Sequence, residues 1–114
     1  MDERLYCTLL YDFYGGLLTE KQREMFEGYY CNDLSLREIG EPVGVSRQAV
    51  SDLLKRTKNL LLDYEARLAL VARHTALSAG VEKLEAHLRG LYGDCPDGNW
   101  NDIEADLCEI KDLL

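Results

Sequence analysis

Ser46, Arg47, Gln48 and Ser51, followed at helical spacing by Lys55, Arg56 and Lys58, form the stretch of this chain whose side chains best suit recognition of a nucleic acid. A glutamine can address a base edge with both its donor and its acceptor, and an arginine can fork onto guanine or onto a phosphate. Lysines and arginines further along suit phosphate contacts, which position a protein on the backbone without reading sequence. The same residue types also make a plain solvated helix face, or a contact surface for a protein or ribonucleoprotein. Three uses are therefore open to the segment LSLREIGEPVGVSRQAVSDLLKR, residues 34–56.

Other chemistry is hard to assemble. His74 and His87, the two histidines, fall in helical patterns without a cysteine or carboxylate at ligand spacing. Asp63 and Glu65 flank Tyr64 on a solvated helix face, and Glu82 and Glu85 complement Lys83 and Arg89 locally rather than hold a metal. The loop GDCPDGN, residues 93–99, lacks the lysine that follows in a phosphate-binding loop. Cys7, Cys31, Cys95 and Cys108 include no closely spaced pair, which excludes a zinc knuckle and a redox pair and suits reduced cysteines in a cytoplasmic protein. No nucleophile–base constellation can be drawn, so the expectation is a protein that is not an enzyme and uses no cofactor or metal.

Charge sharpens the contrast. The chain carries a formal net charge of -8, which argues against a general coat on nucleic acid or an anionic membrane. The acidity is uneven: residues 1–34 net -4, residues 35–59 net +2 and residues 60–114 net -6. The positive balance coincides with the candidate interface. Neither a secretion signal nor an apolar run of the roughly 20 residues that span a membrane is found.

The elements that must position these side chains read as helices throughout. Leu5, Leu9, Leu10, Phe13 and Leu17 recur at helical spacing, Gly15 and Gly16 weaken the end of that helix, and Thr19 caps the next. The second helix, EKQREMFEGYYC, presents Met25, Phe26, Tyr29 and Tyr30. Tyr6, Tyr11, Tyr14, Tyr29 and Tyr30 could stack on the bases of single-stranded RNA, but their spacing favours half-buried packing with the hydroxyl at the rim. Ser35 with Glu38 is a capping box that opens a third helix, and Pro42 cuts that helix short.

Ser46 caps a fourth helix, in which Val50, Leu54, Thr57, Leu61, Tyr64, Leu68, Val71 and Thr75 step by fours and threes. This seam predicts one long helix running to Gly80, with apolar residues that a twin chain would cover. Val81, Leu84, Leu88 and Leu91 continue an apolar series up to the loop. Ile103, Leu107, Ile110 and Leu114 mark an acidic closing helix, docked through Trp100.

A helix-turn-helix needs two short helices at a steep crossing, a small residue where they approach and an apolar clasp around the turn. Gly40 is that small residue, Gly44 opens the turn, and Ile39, Val43, Val45, Val50 and Leu53 form the clasp. With these residues in place the segment resembles region 4 of sigma factors, the helix-turn-helix that reads a promoter element. It is closer still to the YlxM family, small bacterial helix-turn-helix proteins associated with the signal recognition particle. The resemblance is carried by YDFYGGLLTEKQREMFEGYY (residues 11–30), NDLSLREI (32–39), GVSRQAV (44–50) and KRT (55–57), and spans roughly Leu5 to Leu68. It implies an all-helical, dimeric protein with a regulatory role near protein targeting.

The expected fold is therefore all-α: a sigma region 4-like helix-turn-helix bundle with a long fourth helix and a C-terminal helical extension. Residues 1–59 would form the N-terminal bundle, with the helix-turn-helix at 35–59. Residues 60–114 would hold the helix continuation, the loop near 93–99 and the acidic closing helix. The expected function is regulation in the signal recognition particle pathway, by binding the particle's RNA, its GTPase or both, as a homodimer through Leu61–Leu91. A DNA-binding transcriptional regulator and a protein-only adaptor are the alternatives.

Overall fold

Each of the first four helices starts at a side chain able to take up an orphan backbone N–H. Asp2 accepts from the Arg4 N–H at the head of α1 (Glu3–Tyr14). Thr19 and Gln22 close a reciprocal capping box on α2 (Glu20–Tyr30), and Ser35 and Glu38 do the same on α3 (Leu36–Gly40). Ser46 accepts from the Ala49 N–H, 3.1 Å away, and starts α4 (Arg47–Leu68). The computed structural model describes residues 2–92 and 100–114, and among the described residues every regular element is helical.

These residues fall into two compact units, Met1–Val71 and Ala72–Leu114. In the first, α4 packs against α1, α2 and α3. Its inward stripe of Val50, Leu54, Thr57 and Leu61 is buried, as the steps of four and three require. Cys7, Leu10 and Tyr14 of α1, Leu18, and Met25 and Phe26 of α2 complete the core with Val71. Phe26 and Leu61 are fully enclosed, and each such side chain contributes about 1.5–3 kcal/mol by leaving water. The Thr57 hydroxyl, in the middle of this apolar stripe, has no hydrogen-bond partner among the described residues.

The single helix expected from Ser46 to Gly80 is in fact two. α4 ends at Leu68, Ala69 adopts a left-handed conformation (φ 53°), and α5 (Leu70–Tyr92) begins directly afterwards. Neither glycine nor proline marks the break. A set of hydrogen bonds makes it. The Ala69 N–H donates to the Glu65 carbonyl (2.8 Å), and the Tyr14 hydroxyl donates to Glu65 Oε1 (2.6 Å) while accepting from the Leu70 N–H (3.1 Å). Glu65 Oε1 also accepts from the Val71 N–H at 3.0 Å. Two of the orphan donors of α5 are thus taken up by side chains, and the carboxylate lies at the positive end of the new helix. Tyr14, expected with its hydroxyl at the rim, is instead 1% exposed and buries that hydroxyl in this cluster.

The second unit pairs the body of α5 with α6 (Trp100–Leu113). Leu107 is buried, Glu85 binds Arg89 (3.1 Å) and Lys111, and the Arg89 guanidinium stands 5.1 Å from the Trp100 ring centre. The closing helix is therefore docked, with Trp100 engaged as its residue type suggests. Leu77, Leu84 and Leu91, spaced by sevens on α5, remain 53%, 50% and 72% exposed. The loop expected at 93–99, with Cys95, lies outside the described residues.

Candidate nucleic-acid interface

The site is built on a close approach that only glycine permits. The Val45 N–H donates to the Gly40 carbonyl at 2.9 Å, and a Cβ added to Gly40 would stand 2.2 Å from the Val45 carbonyl oxygen and 3.0 Å from Val50 Cγ2. Pro42 closes α3 as expected. It sits in a 3-10 turn, Glu41–Val43, where its missing N–H costs nothing, and Gly44 at φ 71° turns the chain toward Ser46. Val50 and Gly40 are buried in the clasp, with Ile39, Val45 and Leu53 half-buried. Val43 departs from the expected clasp: it is 61% exposed, because the 3-10 turn carries it outward.

This turn presents the N-terminal half of α4 to solvent. Ser46, Arg47, Gln48, Lys55 and Arg56 are exposed, and Ser51 is half-buried at the edge of the same face. Gln48 Nε2 donates to Asp52 Oδ1 (3.0 Å), which holds the amide along the helix, and Arg56 Nε donates to the Asp52 carbonyl (3.4 Å). Among the described residues Arg47 and Lys55 carry no ion pair. The charges of α3 are satisfied locally, since Arg37 pairs with Glu41 at 3.1 Å.

Lys58 is different. Its ammonium is bound to Glu3 of α1 and its side chain is 26% exposed, so it ties two helices together beside the face rather than standing on it. The Glu3 hydrogen bond holds its pKa above the ordinary lysine range. Four neighbours of the face lie outside the seven candidate residues. Asp52 is readable from its spacing of four from Gln48. Tyr29 and Tyr30 line a groove beside Ser51 and Lys55, and Arg4 stands over both rings at 5.4 and 5.9 Å. Nothing local in the sequence brings Arg4 to them.

Burial pushes Tyr30 up to about 12, with Cys7 alongside adding to the shift. Burial also raises Tyr14 and Tyr11, helped by the Glu65 and Glu27 carboxylates they donate to, and it raises the Cys7 thiol. The folded chain therefore keeps protons at pH values where the unfolded chain has lost them, and stability falls as pH rises through that window. The loss should begin near pH 9 with Cys7 and steepen from about 10 toward 12 with the tyrosines. Lys58 acts in the same direction: its contribution is complete below its ordinary pKa and is lost as pH rises through the raised one. A urea midpoint followed from pH 7 to pH 12 should show this decline, and Tyr30→Phe should flatten its upper part.

Among the described residues no group of three or more histidine, cysteine or acidic side chains could hold a metal ion. No helix among them is long and apolar enough to cross a membrane. The geometry is that of a helix-turn-helix, and the family whose members are described as "Putative helix-turn-helix protein, YlxM / p13 like" matches residues 1–91. The chain belongs to this family, UPF0122. A UPF0122 protein of Caldanaerobacter subterraneus is 54% identical over 84 residues, covering 74% of this chain and 72% of the relative. A UPF0122 protein of Clostridium novyi is 37% identical over 115 residues, spanning 100% of this chain and 96% of its own. One of Halalkalibacterium halodurans is 46% identical over 85 residues, covering 75% and 78%. The family match takes in every element of the helix-turn-helix and nearly all of α5.

Proposed function

We propose that this UPF0122 protein is a non-enzymatic regulator that binds nucleic acid through the exposed face of α4 and acts in the cytoplasm with the signal recognition particle, on its RNA or its GTPase. The observation that carries this reading is the presentation of Arg47, Gln48, Lys55 and Arg56 on one solvent face by the Gly40–Val45 approach. Two cations without ion pairs beside an amide supply phosphate attraction together with a base-reading group. The choice of the particle over a promoter rests on the resemblance to YlxM proteins noted in the sequence. The net charge of -6 in residues 60–114 limits indiscriminate binding to polyanions. Leu77, Leu84 and Leu91, exposed at heptad spacing, support a homodimer through α5.

A second reading, a reader of duplex DNA, is favoured by the Gln48–Asp52 pair, since an amide and a carboxylate suit base edges better than phosphates. Fluorescence anisotropy with the particle RNA and with a pool of duplex DNA sequences, titrated with salt, separates the two. The first reading expects RNA preferred and a log–log salt slope that shrinks by about 0.7–0.9 for each phosphate contact removed, as in Lys55→Ala with Arg56→Ala. The second expects one duplex sequence to be strongly preferred and the preference to relax in Arg47→Ala and Gln48→Ala. Binding of neither at low salt would leave a protein-only adaptor. Light scattering on the same samples should give twice the chain mass.

A further inference from the structure

We propose that the groove between the end of α2 and the middle of α4 holds one unpaired nucleobase of a bulged or single-stranded RNA, beside the helical segment that α4 faces. The proposal rests on the nucleic-acid reading above and deepens it, by naming the form of nucleic acid the surface prefers.

The groove has a volume of about 260 Å³. It is lined by Tyr29 and Tyr30 with Leu36 and Leu54, and by the polar residues Ser51, Lys55 and Lys58. The rings are set before any ligand arrives. Tyr29 and Tyr30 meet edge to face, with centres 4.9 Å apart at 82°, and Tyr30 lies 4.5 Å from Phe26. Arg4 braces them from α1: its guanidinium stands over both rings while donating to the Tyr29 carbonyl and to Asp33 at 2.8 Å. Fixing the rings in advance removes much of the ordering cost of binding.

The mixture of walls and charges selects the occupant. Aromatic and aliphatic walls suit a flat ring, and lysine ammoniums beside them suit an attached phosphate, which together describe a nucleotide. An apolar peptide would strip water from the ammoniums without replacing it, and an acidic peptide would leave the rings unused. Lys55, with no ion pair among the described residues, is free to take the phosphate, whereas Lys58 is held by Glu3. Ser51 and Lys55 belong both to the groove and to the α4 face, so a strand crossing that face passes the groove mouth. A base paired in a duplex would first have to be unstacked, at a cost that a bulge or single strand does not bear.

The test uses the full chain and two RNA hairpins of one sequence, with 2-aminopurine as a single unpaired nucleotide in one and paired in the other. The bulged hairpin should bind about tenfold tighter or more, the order expected for a base stacked on an aromatic side chain. Its fluorescence should fall on binding. Tyr29→Leu should abolish the preference and the quench, bringing the bulged hairpin's affinity down to that of the paired one, and Tyr29→Phe should restore both. Ultraviolet cross-linking of 4-thiouridine placed at the bulge, read on the wild-type chain, should map to Tyr29 or Tyr30 and does not depend on a variant folding. Equal affinity for the two hairpins, or a cross-link elsewhere, overturns the groove site and leaves the α4 reading standing. Binding of neither hairpin overturns both the groove site and RNA binding through α4.

Discussion

Gly40→Ala lowers the thermal midpoint of the chain by more than about 10 °C in a circular-dichroism melt. An alanine Cβ at this position would lie 2.2 Å from the Val45 carbonyl oxygen. That oxygen is backbone, in a turn pinned at one end by the Val45 N–H to Gly40 bond and at the other by the Ser46 cap, so no side-chain rotation can relieve the clash. The helices must move apart, which opens the clasp around Val50. Overpacking of this kind costs about 3 kcal/mol or more where backbone must shift, and about 4–8 °C accompanies each kcal/mol in a domain of this size. The nucleic-acid binding proposed for α4 should weaken in parallel, because the face is presented by the turn that is displaced. Gly16→Ala is the internal control: its added Cβ meets no neighbouring element within 4 Å, and replacing a glycine where the backbone suits alanine should stabilise by about 0.4–1 kcal/mol. Equal melting of Gly40→Ala and wild type would overturn the role given to this close approach.

The second large effect belongs to the break between α4 and α5. Glu65→Ala removes the acceptor for both the Tyr14 hydroxyl and the Val71 N–H, and Tyr14 and Val71 are 1% and 3% exposed. A buried donor left without a partner costs about 1–3 kcal/mol, so a loss of about 2–5 kcal/mol is expected, measured by urea unfolding. Tyr14→Phe also breaks the Leu70 bond, and because the two side chains share one cluster their effects should be non-additive by about 0.5–3 kcal/mol in a double-mutant cycle. Ala69→Gly should move the other way. A left-handed alanine carries about 1–2 kcal/mol of strain, and glycine relieves it. Additive losses from Glu65→Ala and Tyr14→Phe would show that the two side chains do not act as a unit.

Much of this architecture was legible because its signals are local. Thr19, Ser35 and Ser46 cap helices within three residues of the donors they satisfy, Pro42 ends α3 within its own turn, and the fours and threes from Val50 to Leu61 state which face of α4 goes inward. Gly40 could be assigned to the close approach because a glycine four residues before the turn glycine has few other uses there. The features that were missed involve partners far apart in the chain. The break at Ala69 has no breaker residue, and it is set by Tyr14 acting across 51 residues on Glu65. Lys58 looked like one more basic residue on the outward face of α4 until Glu3, 55 residues away, was found to hold it.

The division follows from the range of the forces. Helix starts, helix faces and turns depend on contacts within one or two turns of chain, and the order of residues 2–68 dictates them: an all-helical helix-turn-helix of the UPF0122 family with Arg47, Gln48, Lys55 and Arg56 on the outward face of α4. That Glu3 holds Lys58 beside the face, where the helical run must stop, and that Arg4 braces Tyr29 and Tyr30 were decided in three dimensions. Each depends on a charge or hydroxyl meeting a partner that chain order leaves distant and only packing brings to hydrogen-bond range.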